Sequence, residues 1–257
     1  AQAYHEVQDV ANELKKTKHY EQISSKIAII FDYGSSAAWD IQPHGKNLNY
    51  FNLIFDFYKS LRKLGQSIDI IPQDHRNFEK YKIIFGPGLM IMCEKLKSRL
   101  SKFNGQVFLG PRTSTRDLNL NTTIPLPPNL PGFDANIILT ETFRRDSPIQ
   151  LEKGGNFCYF REHFNGKFEI IEKTKSGDPA IIRGGNFNYI AGWPDQTVLN
   201  RILKNVFNEE KMDFICLPEG VRIRETLRER FWFNYSSKQK NVGEKILEPC
   251  SVFRECI

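Results

Sequence analysis

Between Lys26 and Leu109 the apolar positions follow two alternating rhythms, a short unbroken run and then a helical repeat. Ile27-Ala28-Ile29-Ile30-Phe31 is too short for a helix of usual length and rich in β-branched side chains. Such a run reads as a strand buried on both faces, the mark of a parallel sheet covered by helices. An acid, an aromatic, Gly34 and two serines follow and read as a loop running on to Trp39 and Asp40. In doubly wound folds, ligands or partner groups sit at that carboxyl end of the strands. Leu48, Phe51, Phe55, Tyr58, Leu61 and Leu64 recur at helical spacing and stop at Gly65. Residues 67–72 and 81–85 read as strands, the second closed by Gly86-Pro87-Gly88. Residues 93–103 read as a second amphipathic helix and residues 106–110 as a fourth strand before another Gly-Pro turn. The alternation predicts an α/β fold, a doubly wound, mostly parallel sheet with right-handed crossovers.

Residues 112–132 break the rhythm. Thr113, Ser114, Thr115 and four prolines give no apolar period, and a loop of this length is usually functional or an interface arm. Residues 136–140 and 156–160 read as strands, and 168–172 pairs with 180–183 across Ser176-Gly177-Asp178-Pro179. Val198, Leu199, Ile202 and Val206 define a last helix over 196–207. From Phe214 the pattern turns to short alternating strands, 221–224, 230–235 and 246–253, with a polar turn over 236–243. This predicts a small antiparallel β-sandwich domain that needs a neighbour for stability. At the other end, Val7, Val10, Ala11 and Leu14 share one helical face with no N-cap, strand or Met before them, as expected of the last piece of something upstream.

Composition changes this picture little. Hydrophobic content of 40 % and charged content of 26 % are ordinary for a soluble globular chain. The net charge of +6 is spread out, and the densest basic cluster, 222–230, is interrupted by Glu225 and Glu229, which argues against a nucleic-acid partner. No apolar run approaches a membrane span, so no membrane partner is expected. The five cysteines are widely spaced with no C-x-x-C pair, which argues against zinc and disulfides and for a reducing, cytoplasmic setting.

Candidate chemistry is sparse. The Gly-Pro turns contain neither G-x-G-x-x-G nor a phosphate-binding Lys-Ser/Thr. A nucleophile elbow after the fourth strand would fall within residues 110–114, where there is no Cys, and Cys93 falls inside a helical pattern with no nearby His. No histidine pair has metal-ligand spacing, and no cofactor is expected. Trp39 beside Asp40 suits stacking on a sugar face, although a Trp packing the loop or a subunit contact is the commoner case. Trp39, Asp40, His44 and Arg112 are therefore the candidate loop or interface contacts, with no catalytic residue among them. A stand-alone amidotransferase-like enzyme and a sugar-binding accessory module stay open as alternatives.

Several segments in order carry a resemblance: 26–39, the helix around 50–65, the proline-rich stretch after Gly110-Pro111-Arg112, Tyr189-Ile190-Ala191-Gly192-Trp193-Pro194-Asp195, and Leu217-Pro218-Glu219-Gly220-Val221-Arg222-Ile223-Arg224 with Phe233-Asn234-Tyr235. Together they resemble the non-catalytic half of family-42 glycoside hydrolases, the bacterial β-galactosidases. The resemblance implies that a TIM barrel with both catalytic glutamates belongs upstream, and that the full-length protein hydrolyses terminal β-D-galactosides with retention. It implies residues 1–24 as the barrel's last helix, 25–208 as a flavodoxin-like trimerisation domain and 209–257 as a small C-terminal β-domain. The expected partners are two further copies and the barrel, with the 112–132 arm and the crevice near Trp39 as the interface patches. The loop after the first strand departs from the family in being less aromatic.

Overall fold

The structure, a computed structural model, describes residues 2–16 and 23–257. Ala1 and residues 17–22, part of the N-terminal segment expected over 1–24, lie outside the described residues. The chain divides into two units, one of residues 25–215 and one of residues 1–24 with 216–257; α1 (Gln2–Lys16) belongs to the latter.

In residues 25–215 the first strand, β1 (Ile27–Ile30), sends Ile27 and Ile29 into one hydrophobic core and Ala28 and Ile30 into another. Successive side chains of a strand point to opposite faces, so an unbroken apolar run is what two covered faces require. After β1 come α2 (Tyr33–Ile41), α3 (Tyr50–Lys63), β2 (Asp69–Ile71), β3 (Ile83–Gly86), α4 (Glu94–Ser101) and β4 (Gln106–Leu109). The pairs β1–β2, β1–β3 and β3–β4 are all parallel, as the alternation predicts. α3 buries Tyr50, Leu53, Ile54, Phe57 and Leu61 in one core, whereas α4 buries Leu96 and Leu100 in the other. The sheet thus has helices on both faces.

The stretch after β1 is a helix and not a loop. Asp32 takes the N-cap position, its Oδ2 accepting from the Ser35 amide at 2.6 Å, and Ser35, Ala38 and Trp39 form the buried face. Cys93 is likewise not embedded in a helix: it is the exposed N-cap of α4, and its side chain makes no capping hydrogen bond.

The remaining strands are β5 (Pro128–Leu130), β6 (Phe133–Thr142), β7 (Ile149–Gln150), β8 (Asn156–Lys167), β9 (Glu169–Lys173), β10 (Pro179–Gly184), β11 (Phe187–Ile190) and β12 (Gly192–Pro194). β11 lies parallel to β4 in the middle of the sheet, and β10 and β9 follow it antiparallel, giving the order β2-β1-β3-β4-β11-β10-β9. A second sheet, ordered β12-β8-β6-β5 with β7 on β8, is antiparallel and far longer than the two short strands expected there. α5 (Gln196–Glu209) closes the unit. Its N-cap Asp195 accepts from the Val198 amide at 2.9 Å and, through its other oxygen, from the Asn156 amide at 2.8 Å, tying the helix start to β8.

In the other unit, β13 (Val221–Glu225), β14 (Glu229–Asn234) and β17 (Ser251–Cys256) form an antiparallel sheet, and β15 (Lys240–Val242) pairs with β16 (Lys245–Leu247). β15 therefore occupies part of the stretch expected as a polar turn. Val221, Ile223 and Trp232 are buried, and Glu13 of α1 lies 3.5 Å from Arg254 of β17. Tyr4, Val7, Val10 and Leu14, the apolar face of α1, are all exposed.

Candidate functional site

The carboxyl end of β4 continues into Gly110-Pro111-Arg112-Thr113-Ser114, a turn that is buried throughout. Gly110 has φ +93°, and a Cβ there would lie 2.2 Å from the Ile190 carbonyl oxygen, so only glycine lets β4 leave the sheet at this point. Arg112 and Ser114 also adopt left-handed φ, +63° and +56°. That conformation costs a non-glycine residue about 1–2 kcal/mol, and a dense set of contacts offsets it here. Glu162 Oε1 accepts from the Arg112 amide at 2.8 Å, and Thr113 Oγ1 accepts from the Gly110 amide at 2.9 Å. Tyr189 Oη donates to Glu162 Oε2 at 2.9 Å and accepts from the Thr113 amide at 3.2 Å.

The Arg112 side chain is folded inward. Its guanidinium lies over the Trp39 ring, 4.3 Å from the centroid, and Nη2 donates to the Gln42 carbonyl at 2.5 Å. Trp39 in turn donates from Nε1 to the Gly88 carbonyl at 2.9 Å and meets Trp193 edge-on at 6.4 Å. Arg112 Nη1 is buried with no hydrogen-bond partner among the described residues. Burial sets the electrostatics: it pushes the Glu162 carboxyl up to about 7 and lowers Arg112 to about 10. Tyr189 is raised, first by burial and then by the charge of Glu162.

Beside this network lies a groove of about 410 Å³. Arg112 and Glu162 reach it from the turn and β8, Arg116 and Leu126 from the 112–132 stretch, and Ile138 and Leu139 from β6. His44, in the connection from α2 to α3, lines it too and stacks on Phe160 at 6.1 Å. Burial, followed by the charges of Arg112 and Arg116, lowers the His44 imidazole. The 112–132 stretch has local order: the Asp117 carboxylate accepts from the Asn119 and Asn121 amides at 2.8 and 2.9 Å, and β5 pairs with β6.

The four sequence candidates separate. Trp39 and Arg112 come together, but in the interior, so neither can stack on a ligand; the crevice beside Trp39 is filled by the chain's own Arg112. His44 is exposed at the groove, and Asp40 is exposed on α2 away from its lining. Sequence reasoning missed Glu162 and Tyr189, which become partners of the Arg112 and Thr113 amides only through folding across 50 and 76 residues. Apart from Arg112 Nη1, the network's polar groups bond one another and the backbone, so what it does chemically is hold the turn. No group of three or more metal-ligating side chains occurs among the described residues.

Fold and turn together define a doubly wound, flavodoxin-like module whose turn after β4 is held by the buried Arg112, Glu162 and Tyr189. The family model described as the β-galactosidase trimerisation domain matches residues 25–213, and the chain belongs to that family. A β-galactosidase of Thermus thermophilus is 27 % identical over 243 residues, covering 91 % of this chain and 37 % of its own length. The crystal structure of a β-galactosidase from the psychrophilic Marinomonas ef1 superposes with a TM-score of 0.87 at 23 % identity, over 98 % of this chain and 41 % of that one. The β-galactosidase of the Antarctic haloarchaeon Halorubrum lacusprofundi gives 0.85 at 21 % identity, over 94 % and 41 %. At those identities the superpositions establish the fold. The chain spans well under half the length of each of these relatives, and its described residues contain no β/α barrel. Among them, no helix is long and apolar enough to cross a membrane.

Proposed function

We propose that this chain is the non-catalytic oligomerisation module of a longer β-galactosidase-like glycoside hydrolase that cleaves terminal β-D-galactosides with retention. The observation that carries this reading is the family match over 25–213, set beside relatives named β-galactosidases that are more than twice as long. On this reading residues 1–24 hold the last helix of the catalytic barrel, 25–208 the trimerisation domain and 209–257 the C-terminal β-domain. The exposed apolar face of α1 supports it, because burying each such side chain against another body is worth about 1.5–3 kcal/mol. The partners are two further copies and the barrel, with His44 and Asp40 as surface contacts. The five unpaired cysteines favour a cytoplasmic setting.

Retaining hydrolysis needs a positioned acid/base and a nucleophile about 5–5.5 Å apart, and the reading places both upstream of this chain. The purified chain should therefore release no nitrophenol from a nitrophenyl β-galactoside. Turnover that persists through purification and vanishes when a carboxylate of this chain is replaced would contradict the reading.

A further inference from the structure

We infer that a cavity between β8 and the α2–α3 connection binds a neutral saccharide, through the Tyr159 and Phe143 rings and a set of uncharged polar side chains. The inference stands apart from the oligomerisation role, since it needs neither a second copy nor an upstream barrel. The cavity has a volume of about 260 Å³. It is lined by His44 and Asn47 from the connection, Thr142 and Phe143 at the end of β6, and Tyr159 of β8. Pockets for drug-sized ligands run to about 300–1,000 Å³, so this one suits a short saccharide.

The backbone singles this place out. β8 pairs with β12 as Gly192↔Arg161 and Pro194↔Phe157, so a short step on β12 meets a longer one on β8, a bulge. Tyr159 lies within it at φ +68°, a left-handed backbone that is a genuine outlier for a bulky residue. Its carbonyl accepts from the Phe143 amide at 2.9 Å, and its ring meets Trp193 edge-on at 6.0 Å. These contacts hold the residue at the cavity wall, and bulges recur beside binding sites because they re-aim a side chain. His44, on the wall from the α2–α3 connection, is left-handed too, at φ +59°. Two such residues lining one cavity point to conformations kept for what the side chains do there.

The side chains on these walls suit hydroxyl groups. Among the described residues, the Asn47 amide, the Thr142 and Tyr159 hydroxyls and the His44 ring have no hydrogen-bond partner, and all four residues are at least partly exposed. Burial, then the charges of Arg112 and Arg116, lowers the His44 imidazole, so near pH 7 it is neutral and offers one donor and one acceptor. The amide and the hydroxyls likewise both donate and accept, as sugar hydroxyls do. The partly buried rings of Tyr159 and Phe143 give an apolar wall on which the C–H face of a sugar can rest. The charged lining groups are Lys46 and Arg144, both exposed, and Arg144 already faces Asp146 at 3.7 Å. Among the described residues no carboxylate lines the cavity, which disfavours a cationic ligand.

The test is saturation-transfer difference NMR on the whole chain with lactose as the probe. The wild type is compared with His44→Gly/Asn47→Ala and with Tyr159→Gly. Glycine suits the left-handed backbone at both positions, and circular dichroism checks the fold. The expected result is transfer to the sugar-ring protons with a Kd of about 1 mM, and an affinity about tenfold or more weaker in each variant. Should Tyr159→Gly fail to fold, the variant at the exposed His44 and Asn47 decides alone. No transfer at about 10 mM lactose, or a folded variant that binds as the wild type does, would overturn the inference. Galacturonate binding more tightly than lactose would overturn the neutral class and point to an acidic sugar held by Lys46 and Arg144. A chain that assembles but binds no sugar would overturn this site and leave the oligomerisation role standing.

Discussion

Glu162 is a carboxylate enclosed on all sides, with the Arg112 amide and the Tyr189 hydroxyl as its donors. Its pKa, raised by burial from 4.5 to about 7, means that the folded state holds a proton there between those values that the unfolded state has released. Stability from this group is thus complete below pH 4.5 and declines as pH rises through 7, by on the order of 3 kcal/mol. His44, lowered from its ordinary value, acts with the opposite sign as pH rises toward 6.5. Glu141 and Asp178, both held low by hydrogen bonds and the charge of Arg161, act only as pH falls below the ordinary carboxylate range. Comparing the wild type with Glu162→Gln isolates the first effect: between pH 5 and 7.5 the wild-type Tm should fall relative to the variant. Parallel Tm curves would contradict a buried, proton-holding Glu162. Trp39 gives a second test at this scale. Trp39→Ala removes a fully buried indole, its bond to Gly88 and the surface under Arg112, and should cost about 3–5 kcal/mol in denaturant titration. A loss below 1 kcal/mol would return Trp39 to the role of a surface contact.

Among the elements, α4 begins at a poor cap. Cys93 has the extended backbone of an N-cap, φ −74° and ψ 149°, but gives its helix no side-chain hydrogen bond. Cys93→Ser should place a hydroxyl oxygen within reach of the first-turn amides and raise stability by about 0.5–1 kcal/mol; a loss of stability would show that the thiol packs in a way its exposure does not suggest. The parallel strands were legible because burial on two faces leaves a plain mark, a run such as Ile27 to Ile30. α2 was not, because its buried face is Ser35, Ala38 and Trp39, small or polar residues that a hydrophobic period passes over. The signal was there in Asp32, a favoured capping residue ahead of a stretch with no proline. β11 escaped for a related reason: Asn188 lies at the sheet centre, paired with Gln106 at 2.8 Å and Arg183 at 2.7 Å, and interrupts the apolar pattern. Glu162 was the least legible. Arg161-Glu162-His163 reads as an exposed polar run, and only the packing of β8 against the β4 turn buries its middle residue.

For the whole molecule, membership of the trimerisation-domain family, the exposed apolar face of α1 and the exposed Ile138 and Leu139 of β6 fit one role. Both faces are exposed apolar surface, unfavourable in water and stabilised when another body covers it. On the proposed reading, contacts made by an upstream barrel would add buried area to the assembled protein, so this chain alone should assemble more weakly than the longer protein. The expected signature is a reversible equilibrium between one chain and three, with no plateau at two, because a heterologous interface gains its last contact only when the ring closes. Sedimentation equilibrium of the whole chain over a wide concentration range tests this most directly. The predicted result is a mass that rises with concentration to three times that of the chain, and a single-chain mass at the highest soluble concentration would contradict it.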